Sequence, residues 1–205
     1  MTEPGLLFYV AAAVAGYLLG AIPFGLVLTR LAGLGDIREI GSGNIGATNV
    51  LRSGSKAAAI LTLAGDAGKG WLAVWAVALL SASTLAAGLA ALAVFLGHVF
   101  PLFHRFKGGK GVATAAGALF GLDWRIGLGT LATWLIIAAF LRYSSLAALI
   151  AAAFAPLATL FVLGTGARAA AVLAMSAILV WRHKENIARL VAGTEPRLGA
   201  KKQAT

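Results

Sequence analysis

The sequence contains no cysteine and few charged residues. The absence of cysteine among the 205 residues excludes disulfide bonds, thiolate nucleophiles, zinc–thiolate sites and iron–sulfur clusters. Charged residues make up 12% of the chain and hydrophobic residues 60%, whereas soluble domains contain about 25% charged and roughly 45–50% apolar residues. This composition excludes an ordinary water-soluble enzyme or DNA-binding domain and predicts that lipid surrounds the chain.

Acidic residues are especially scarce, with 7 Asp and Glu against 17 Lys and Arg, which gives a formal net charge of +10. In a membrane protein this excess reports on orientation rather than on nucleic-acid binding, because loops rich in Lys and Arg stay in the cytoplasm. With seven spans and an outside N-terminus, all Lys and Arg except Lys69, Arg125 and Arg168 fall on one face. That face and the C-terminus are therefore predicted to be cytoplasmic.

Long apolar runs predict about seven transmembrane helices, or five if residues 111–141 form a re-entrant pair. The predicted spans are residues 4–29, two within 57–97 joined by a turn near 81–84, then 111–122, 126–141, 143–167 and 169–181. Gly16 and Gly20 favour close helix contact, and Asp66 and Lys69 are spaced to pair within a span. We expect an all-α polytopic membrane protein with a single domain over residues 1–205.

The first cytoplasmic segment that topology does not explain is the glycine-rich loop Gly41–Arg52. Its Gly-x-Gly-x-x-Gly pattern matches the dinucleotide-binding fingerprint, but no strand precedes it, so we reject that interpretation. Glycines allow backbone N–H groups to converge on an anion, and an arginine can hold a phosphate through two hydrogen bonds. The candidate binding groups are Gly43, Gly46, Ser42, Asn44, Thr48, Asn49 and Arg52; a flexible turn is the alternative.

The second segment is Gly97–Thr114, in which Lys107, Gly108, Gly109 and Lys110 precede an apolar helix. Cations and free N–H groups at a helix N-terminus predict a second anion site. A basic segment that touches anionic headgroups is the alternative. The nearby histidines have no carboxylate partner at helical spacing, and the sequence shows no metal-ligand spacing.

The third segment, Trp181–Glu195, follows the last span. A helix that continues to a C-cap at Gly193 would place His183, Asn186 and either Arg189 or Leu190 on one face. Arg182 and Lys184 are interpreted as headgroup contacts on a basic tail. Ser145 lies at the start of another span. It is either a hydrogen-bond donor to a phosphate or a serine that caps the start of the helix.

Together these segments resemble the bacterial membrane acyl-phosphate:glycerol-3-phosphate acyltransferases of the PlsY type. The matching motifs are Ser42-Gly-Asn-x-Gly-Ala-x-Asn49 with Arg52, Gly97-His with Phe106-Lys-Gly-Gly-Lys110, and His183-x-x-Asn-Ile-x-Arg-Leu-x-x-Gly-x-Glu195. They lie in the family's order, and the length and polytopic layout also fit. The signatures of other acyltransferases and hydrolases, Gly-x-Ser-x-Gly and His-x4-Asp, are absent.

The resemblance implies transfer of a fatty acyl group from acyl phosphate to the 1-hydroxyl of sn-glycerol 3-phosphate. The products would be 1-acyl-sn-glycerol 3-phosphate (lysophosphatidate) and phosphate, the first acylation step of phospholipid synthesis. It implies no cofactor, no metal and no nucleic-acid partner. The site would face the cytoplasm from the bacterial inner membrane, in contact with the bilayer and open to transient contact with the enzyme that makes acyl phosphate.

Residue roles follow from the same resemblance. The catalytic group would be Ser42, Asn44, His183 and Asn186, with His183 as either a general base or a positioning group. The substrate-binding group would be Gly43, Gly46, Asn49, Arg52, Lys107, Gly108, Gly109, Lys110, Ser145 and Glu195.

A membrane transporter of an organic phosphate or another anion is the competing interpretation, because broken helices and basic residues also line transport pathways. A transporter predicts cations near the bilayer midplane. In this sequence Lys69 is the cation within a span, and the others, apart from Arg125 and Arg168, lie near one surface, which favours the enzyme.

The predicted topology can be tested with single cysteines, because the chain has none of its own. Arg52→Cys, Lys107→Cys and His183→Cys are expected to react with a membrane-impermeant thiol reagent only after the cells are opened. Trp124→Cys and Thr165→Cys are expected to react from outside. Labelling of Lys107→Cys in intact cells would contradict a common cytoplasmic site.

Overall fold

The computed structural model describes residues 4–199. Helices connected by short loops make up this part of the chain, and it contains no strand. The helices are α1 (Leu6–Gly20), α2 (Phe24–Leu31), α3 (Ala47–Arg52), α4 (Lys56–Leu80), α5 (Thr84–Val99), α6 (Val112–Leu122), α7 (Trp124–Leu141), α8 (Ser144–Leu163), α9 (Ala167–Arg182) and α10 (Lys184–Val191). Two single-turn 3₁₀ helices, Ile37–Glu39 and Leu102–His104, lie in the loops.

Each of the seven predicted apolar segments is helical. Five segments of the described chain are long and apolar enough to cross a membrane: Leu6–Leu31, Lys56–Leu80, Thr84–His104, Trp124–Leu141 and Ser144–Leu163. Val112–Leu122 is a shorter apolar helix, and α9 has 16 residues. The all-α membrane fold is thus confirmed, while the number of crossings and the sides of the termini stay predictions.

The first span differs from the single helix that its charge-free run predicts. Helix α1 ends at Gly20, residues Ala21–Pro23 are not helical, and α2 starts at Phe24. Proline lacks an N–H and its ring clashes with the preceding turn, so a helix commonly breaks there. The break frees the carbonyl of Ile22, which accepts a hydrogen bond from Lys69 Nζ at 2.8 Å.

Small residues allow the helices to pack closely, as predicted for Gly16 and Gly20. A Cβ on Gly16 would lie 3.3 Å from the Ala90 carbonyl oxygen, and one on Gly20 would overlap the Val94 backbone. Helix α1 therefore lies directly against α5. Helices α4 and α6 approach equally closely, since a Cβ on Gly117 would overlap the Ala67 backbone.

The last two helices, α9 and α10, are separated by the single residue His183. His183 is both the C-cap of α9 and the N-cap of α10. Helix α10 ends at Val191, and Gly193 follows with a φ of +70°, as a C-terminal glycine does. The predicted helix end is therefore close to the observed one, and the segment that follows returns toward the start of α8.

Candidate active site

A buried carboxylate, Glu195, organises the C-terminal part of the candidate site. Ser145 Oγ and Asn186 Nδ2 each donate to Glu195 Oε1 at 2.6 Å, and Arg189 Nε donates to Oε2 at 2.7 Å. Burial alone would raise the pKa of the Glu195 carboxyl, but these hydrogen bonds outweigh it and hold the pKa below its usual value. Glu195 is therefore an ionised acceptor that joins α8, α10 and the C-terminal segment.

This arrangement involves two residues that were predicted to bind substrate. Ser145 and Glu195 are engaged with each other, and Glu195 also accepts from Asn186. In this structure they position Asn186, and their substrate-binding roles stay predictions.

Asn186 connects this cluster to the second predicted segment. Because its Nδ2 donates to Glu195, its Oδ1 is free to accept, and Lys110 Nζ donates a short hydrogen bond to it. Burial lowers the pKa of Lys110, while the negative charge of Glu195 opposes that shift. Lys110 thus places a cation directly beside the amide of Asn186, as the motifs predicted for a common site.

His183 lies one residue beyond α9 and is 2% exposed. Its Nδ1 lies 2.8 Å from the carbonyl oxygen of Leu179, and since a carbonyl can only accept, Nδ1 carries the proton. This tautomer leaves Nε2 as an acceptor. Burial lowers the pKa of His183 to about 4, so the imidazole is neutral at cellular pH.

The predicted helical face of the third segment is confirmed. His183 and Asn186 are buried, whereas Lys184 is exposed with its ammonium 6.0 Å from the centre of the Trp181 ring. Arg182 departs from the prediction of a headgroup contact, because its Nη2 donates to the Gly108 carbonyl at 3.0 Å. Its position four residues before Asn186 was the available signal, since that spacing places both on one helix face.

The loop that carries Lys107 and Lys110 is held against the end of α5. The Gly108 and Gly109 amides donate to the carbonyls of Val99 and His98, each at 3.2 Å. We expected these amides to bind a phosphate, but they are used within the protein. Their glycines are required for close packing instead, because a Cβ on Gly109 would overlap the His98 ring.

The glycine-rich loop also uses its amides internally. The Ser42 amide donates to Asn49 Oδ1 at 3.0 Å, the Gly43 amide to the Ile40 carbonyl at 3.0 Å, and the Gly46 amide to Asn44 Oδ1 at 3.1 Å. The predicted anion-binding role of Gly43 and Gly46 is thus replaced by turn formation in this structure.

Asn49 has a structural rather than a substrate-binding arrangement. It is 2% exposed, and its Nδ2 donates to the carbonyls of Ile37 and Ile40 at 3.0 and 2.8 Å. With its Oδ1 also occupied, the side chain fixes the loop and leaves no donor for a ligand.

Four predicted groups remain available to a ligand. The side chains of Arg52 and Lys107 are exposed and have no hydrogen-bond or ion-pair partner among residues 4–199. The Ser42 hydroxyl and the Asn44 Nδ2 are likewise uncommitted within that range. Two cations with two neutral polar groups suit a phosphate-bearing, hydroxylated substrate.

The second and third motif segments are in direct contact, and the start of α8 connects the first segment to them. Thr48, in the glycine-rich segment, lies 3.3 Å from the hydroxyl of Ser144, next to Ser145. Ser145 and Asn186 share Glu195, and Lys110 reaches Asn186. The structure therefore assembles the segments into one polar region at the ends of α3, α6, α8 and α9. Within the described residues, no group of three His, Asp or Glu side chains is arranged to hold a metal ion.

One set of partners was not predicted from the sequence. His98 Nδ1 lies 3.4 Å from Asp66 Oδ1 and 2.9 Å from Lys69 Nζ, although no carboxylate partner for His98 was expected. The partner comes from a different helix, so spacing along the chain could not show it. The predicted Asp66–Lys69 pair is present at 2.8 Å.

Comparison with known proteins identifies related chains. A family model described as glycerol-3-phosphate acyltransferase matches residues 10–193. The glycerol-3-phosphate acyltransferase of Ralstonia nicotianae is 56% identical over 200 residues, which cover 96% of this chain and 97% of the relative. That of Paraburkholderia phymatum is 57% identical over 196 residues, covering 94% and 93% of the two chains.

Two solved structures share the fold over most of its length. Both are crystal structures of PlsY, an integral membrane glycerol 3-phosphate acyltransferase. Its glycerol 3-phosphate form matches with a TM-score of 0.88 at 38% identity, covering 93% of this chain and 96% of that one. Its lysophosphatidic acid form matches with a TM-score of 0.84 at 35% identity, covering 93% and 95%.

Glu195→Gln tests the organising role of the buried carboxylate. We expect a loss of about 1–3 kcal/mol in the free energy of unfolding, because Arg189 loses its anionic partner and the amide nitrogen cannot accept a hydrogen bond. The free energy of unfolding of the wild type should decrease as the pH is lowered toward the pKa of Glu195. The reason is that the carboxyl binds its proton at a higher pH in the unfolded chain than in the folded one.

Thermal unfolding in detergent between pH 3 and 7 measures both effects. Glu185→Gln, which changes an exposed carboxylate in α10, is the matched control and should leave the unfolding temperature unchanged. Equal effects of the two substitutions would contradict the organising role.

Proposed function

Because the chain belongs to the glycerol-3-phosphate acyltransferase family, we propose that it transfers a fatty acyl group from acyl phosphate to the 1-hydroxyl of sn-glycerol 3-phosphate. The products are 1-acyl-sn-glycerol 3-phosphate and inorganic phosphate. The single observation that carries the proposal is the contact of Lys110 with Asn186, which unites two of the motif segments beside the neutral imidazole of His183. We place the site at the cytoplasmic face of the bacterial inner membrane.

The substrates divide naturally between the two environments of this site. Arg52 and Lys107 are exposed cations and would hold the phosphate of glycerol 3-phosphate, which arrives from water. The acyl chain of the donor would lie along the apolar helices in the bilayer. Its phosphate would then reach Lys110 at the membrane surface, where a partly desolvated ammonium interacts strongly with an anion.

In the reaction, the 1-hydroxyl oxygen attacks the acyl carbonyl carbon, and the bond from that carbon to the phosphate oxygen breaks. Lys110 would stabilise the negative charge on the leaving phosphate, and Asn186 would help to orient the reacting groups. Ser42 and Asn44 would complete the hydrogen bonds around the substrate. The donor is already activated, so positioning and charge stabilisation supply most of what is needed.

The hydroxyl proton has two acceptors within this scheme. His183 Nε2 would accept a hydrogen bond from the 1-hydroxyl, and a substrate phosphate would be the stronger base. A histidine with a pKa of about 4 is well suited to orient a hydroxyl in its neutral form. We therefore favour His183 as the group that aligns the nucleophile, with the phosphate receiving the proton.

A transporter is disfavoured by the placement of the cations. Lys69, the basic residue in the interior of α4, is 3% exposed and paired with Asp66. Among the described residues, the unpaired cations of the motif segments lie outside the predicted spans. A pathway for an anion through the bilayer would need such groups near the midplane.

The direct test uses purified protein, palmitoyl phosphate and radiolabelled glycerol 3-phosphate in the presence of a metal chelator. We expect 1-acyl lysophosphatidate and inorganic phosphate in equal amounts, with no product from palmitoyl coenzyme A. Product from the coenzyme A ester alone would overturn the proposed donor. Strict dependence on a divalent ion would show a metal requirement that the described residues do not reveal. Uptake of glycerol 3-phosphate into proteoliposomes without acylation would favour the transporter.

Arg52→Lys is expected to raise the KM for glycerol 3-phosphate at least about tenfold, because an ammonium cannot reproduce the two parallel hydrogen bonds of a guanidinium. The kcat should change much less. Steady-state kinetics with glycerol 3-phosphate varied measures both constants. Arg30→Lys, at an exposed position in α2, is the control; a KM within twofold of wild type for Arg52→Lys would leave Arg52 with a topological role alone.

The acid limb of the pH profile tests His183. If the neutral imidazole is required, kcat/KM of the wild type should show a protonation of the free enzyme near the low pKa of His183, rather than near the usual value of about 6.5. His183→Asn should lower kcat about 10²–10⁴-fold if His183 is a general base and less if it only orients the hydroxyl.

The second ionisation of glycerol 3-phosphate, near pH 6 for a phosphate monoester, affects wild type and variant alike, so the ratio of the two profiles isolates His183. Lys184→Ala is the control and should keep kcat within about twofold, as an exposed substitution should. A midpoint in that ratio between pH 6 and 7 would show that His183 is solvated in the free enzyme.

A further inference from the structure

Three buried ionisable side chains lie together between α4 and α5, next to the loop of the second motif segment. Asp66 and Lys69 in α4 and His98 in α5 are 2%, 3% and 5% exposed. Lys69 Nζ lies 2.8 Å from Asp66 Oδ1 and 2.9 Å from His98 Nδ1. Ionisable groups in a membrane-spanning helix are costly, and when present they usually mark a functional site.

One side of this cluster meets the break in the first span. Lys69 Nζ donates to the Ile22 carbonyl at 2.8 Å, and it lies 5.7 Å from the centre of the Phe24 ring. Helix α2, which begins at Phe24, packs against the glycine-rich loop, because a Cβ on Gly25 would overlap the Ile45 carbonyl. The cluster thus supports the element that carries the first motif segment.

The other side of the cluster meets the loop of the second segment. The His98 ring presents Nε2 to Gly109 so closely that no side chain fits there. The His98 carbonyl accepts from the Gly109 amide at 3.2 Å. Lys110 is the next residue, and its ammonium reaches Asn186. A continuous series of contacts therefore leads from Asp66 and Lys69 through His98 to Lys110.

We propose that Asp66, Lys69 and His98 form a positioning unit that holds the loop Lys107–Gly111 so that Lys110 meets Asn186. The inference rests on the proposed function, since it assigns the unit to the acyl-transfer site. Lys69 donates to His98 Nδ1 and so leaves the proton on Nε2, which fixes both the tautomer and the ring orientation. Asp66 balances the charge of Lys69.

A purely structural role would not require these residue types. Replacing a buried ion pair with apolar residues of similar volume is often neutral or stabilising, whereas removing one partner is destabilising. Asp66→Leu combined with Lys69→Met therefore removes both charges without leaving one unpaired. It abolishes the hydrogen bond that orients His98, so it separates loss of positioning from loss of folding.

Competitive labelling of lysines measures the loop position without any substrate. In His98→Leu and in the double variant, we expect the labelling rate of Lys110 relative to Lys184 to rise at least about fivefold, because the loop opens locally. His98→Asn, which keeps an acceptor near the Nδ1 position, should stay closer to wild type. Thr159→Val, a buried substitution in α8, is the control.

The labelling experiment tests whether the unit holds the loop. If the labelling rate of Lys110 relative to Lys184 is unchanged in both folded variants, the inference is overturned. If His98→Leu does not fold, the double variant and His98→Asn still give the comparison.

Acyl-transfer kinetics then test the coupling to Lys110. In a double-mutant cycle, His98→Leu should lower kcat about tenfold or more in the native background, and less than about twofold when Lys110→Ala is already present. Independent, multiplicative effects would overturn the positioning role. If the wild type makes no product from acyl phosphate, the proposed function fails, while the labelling experiment still decides whether the unit holds the loop.

Discussion

Hydrogen bonds to the Glu195 carboxylate fix the polar region on which the proposed chemistry depends. One oxygen accepts from both Ser145 and Asn186, and the other from Arg189. Because Asn186 must then present its Oδ1 to Lys110, a single buried anion determines which way the amide faces. Orientation of this kind is necessary where an activated donor reacts, since catalysis rests mainly on placement. The negative charge of Glu195 also opposes the lowering of the Lys110 pKa by burial, so it favours the charged ammonium.

Hydropathy and charge predicted the helical architecture well because a bilayer imposes strong constraints on sequence. The seven apolar segments, the turn near Ser81 and the helix end near Gly193 correspond to observed elements. The break at Pro23 was missed because the apolar run gave no charge or polar residue to mark it. A proline in the interior was the available signal.

The candidate site was predicted less completely, for a physical reason. Motifs identify residue types that could bind phosphate, but they do not show which N–H groups the protein uses for itself. Gly108 and Gly109 contact α5, and Asn49 holds its own loop. Spacing along a helix did identify the shared face of His183 and Asn186. It could not identify His98 as a partner of Asp66, because that contact joins residues 32 positions apart on different helices.

The pairing of Asp66 with Lys69 inside one helix bears on how the protein enters the membrane. The two residues are three apart in α4, so each has its counterion as soon as the helix forms, before α5 has arrived. Transfer of a lone ammonium from the translocon into lipid costs roughly 2.5–3.5 kcal/mol at the centre of a helix, on an insertion scale. Net neutrality lowers this barrier and lets α4 partition as an ordinary apolar segment. The ammonium can then bond to His98 and the Ile22 carbonyl when the helices assemble.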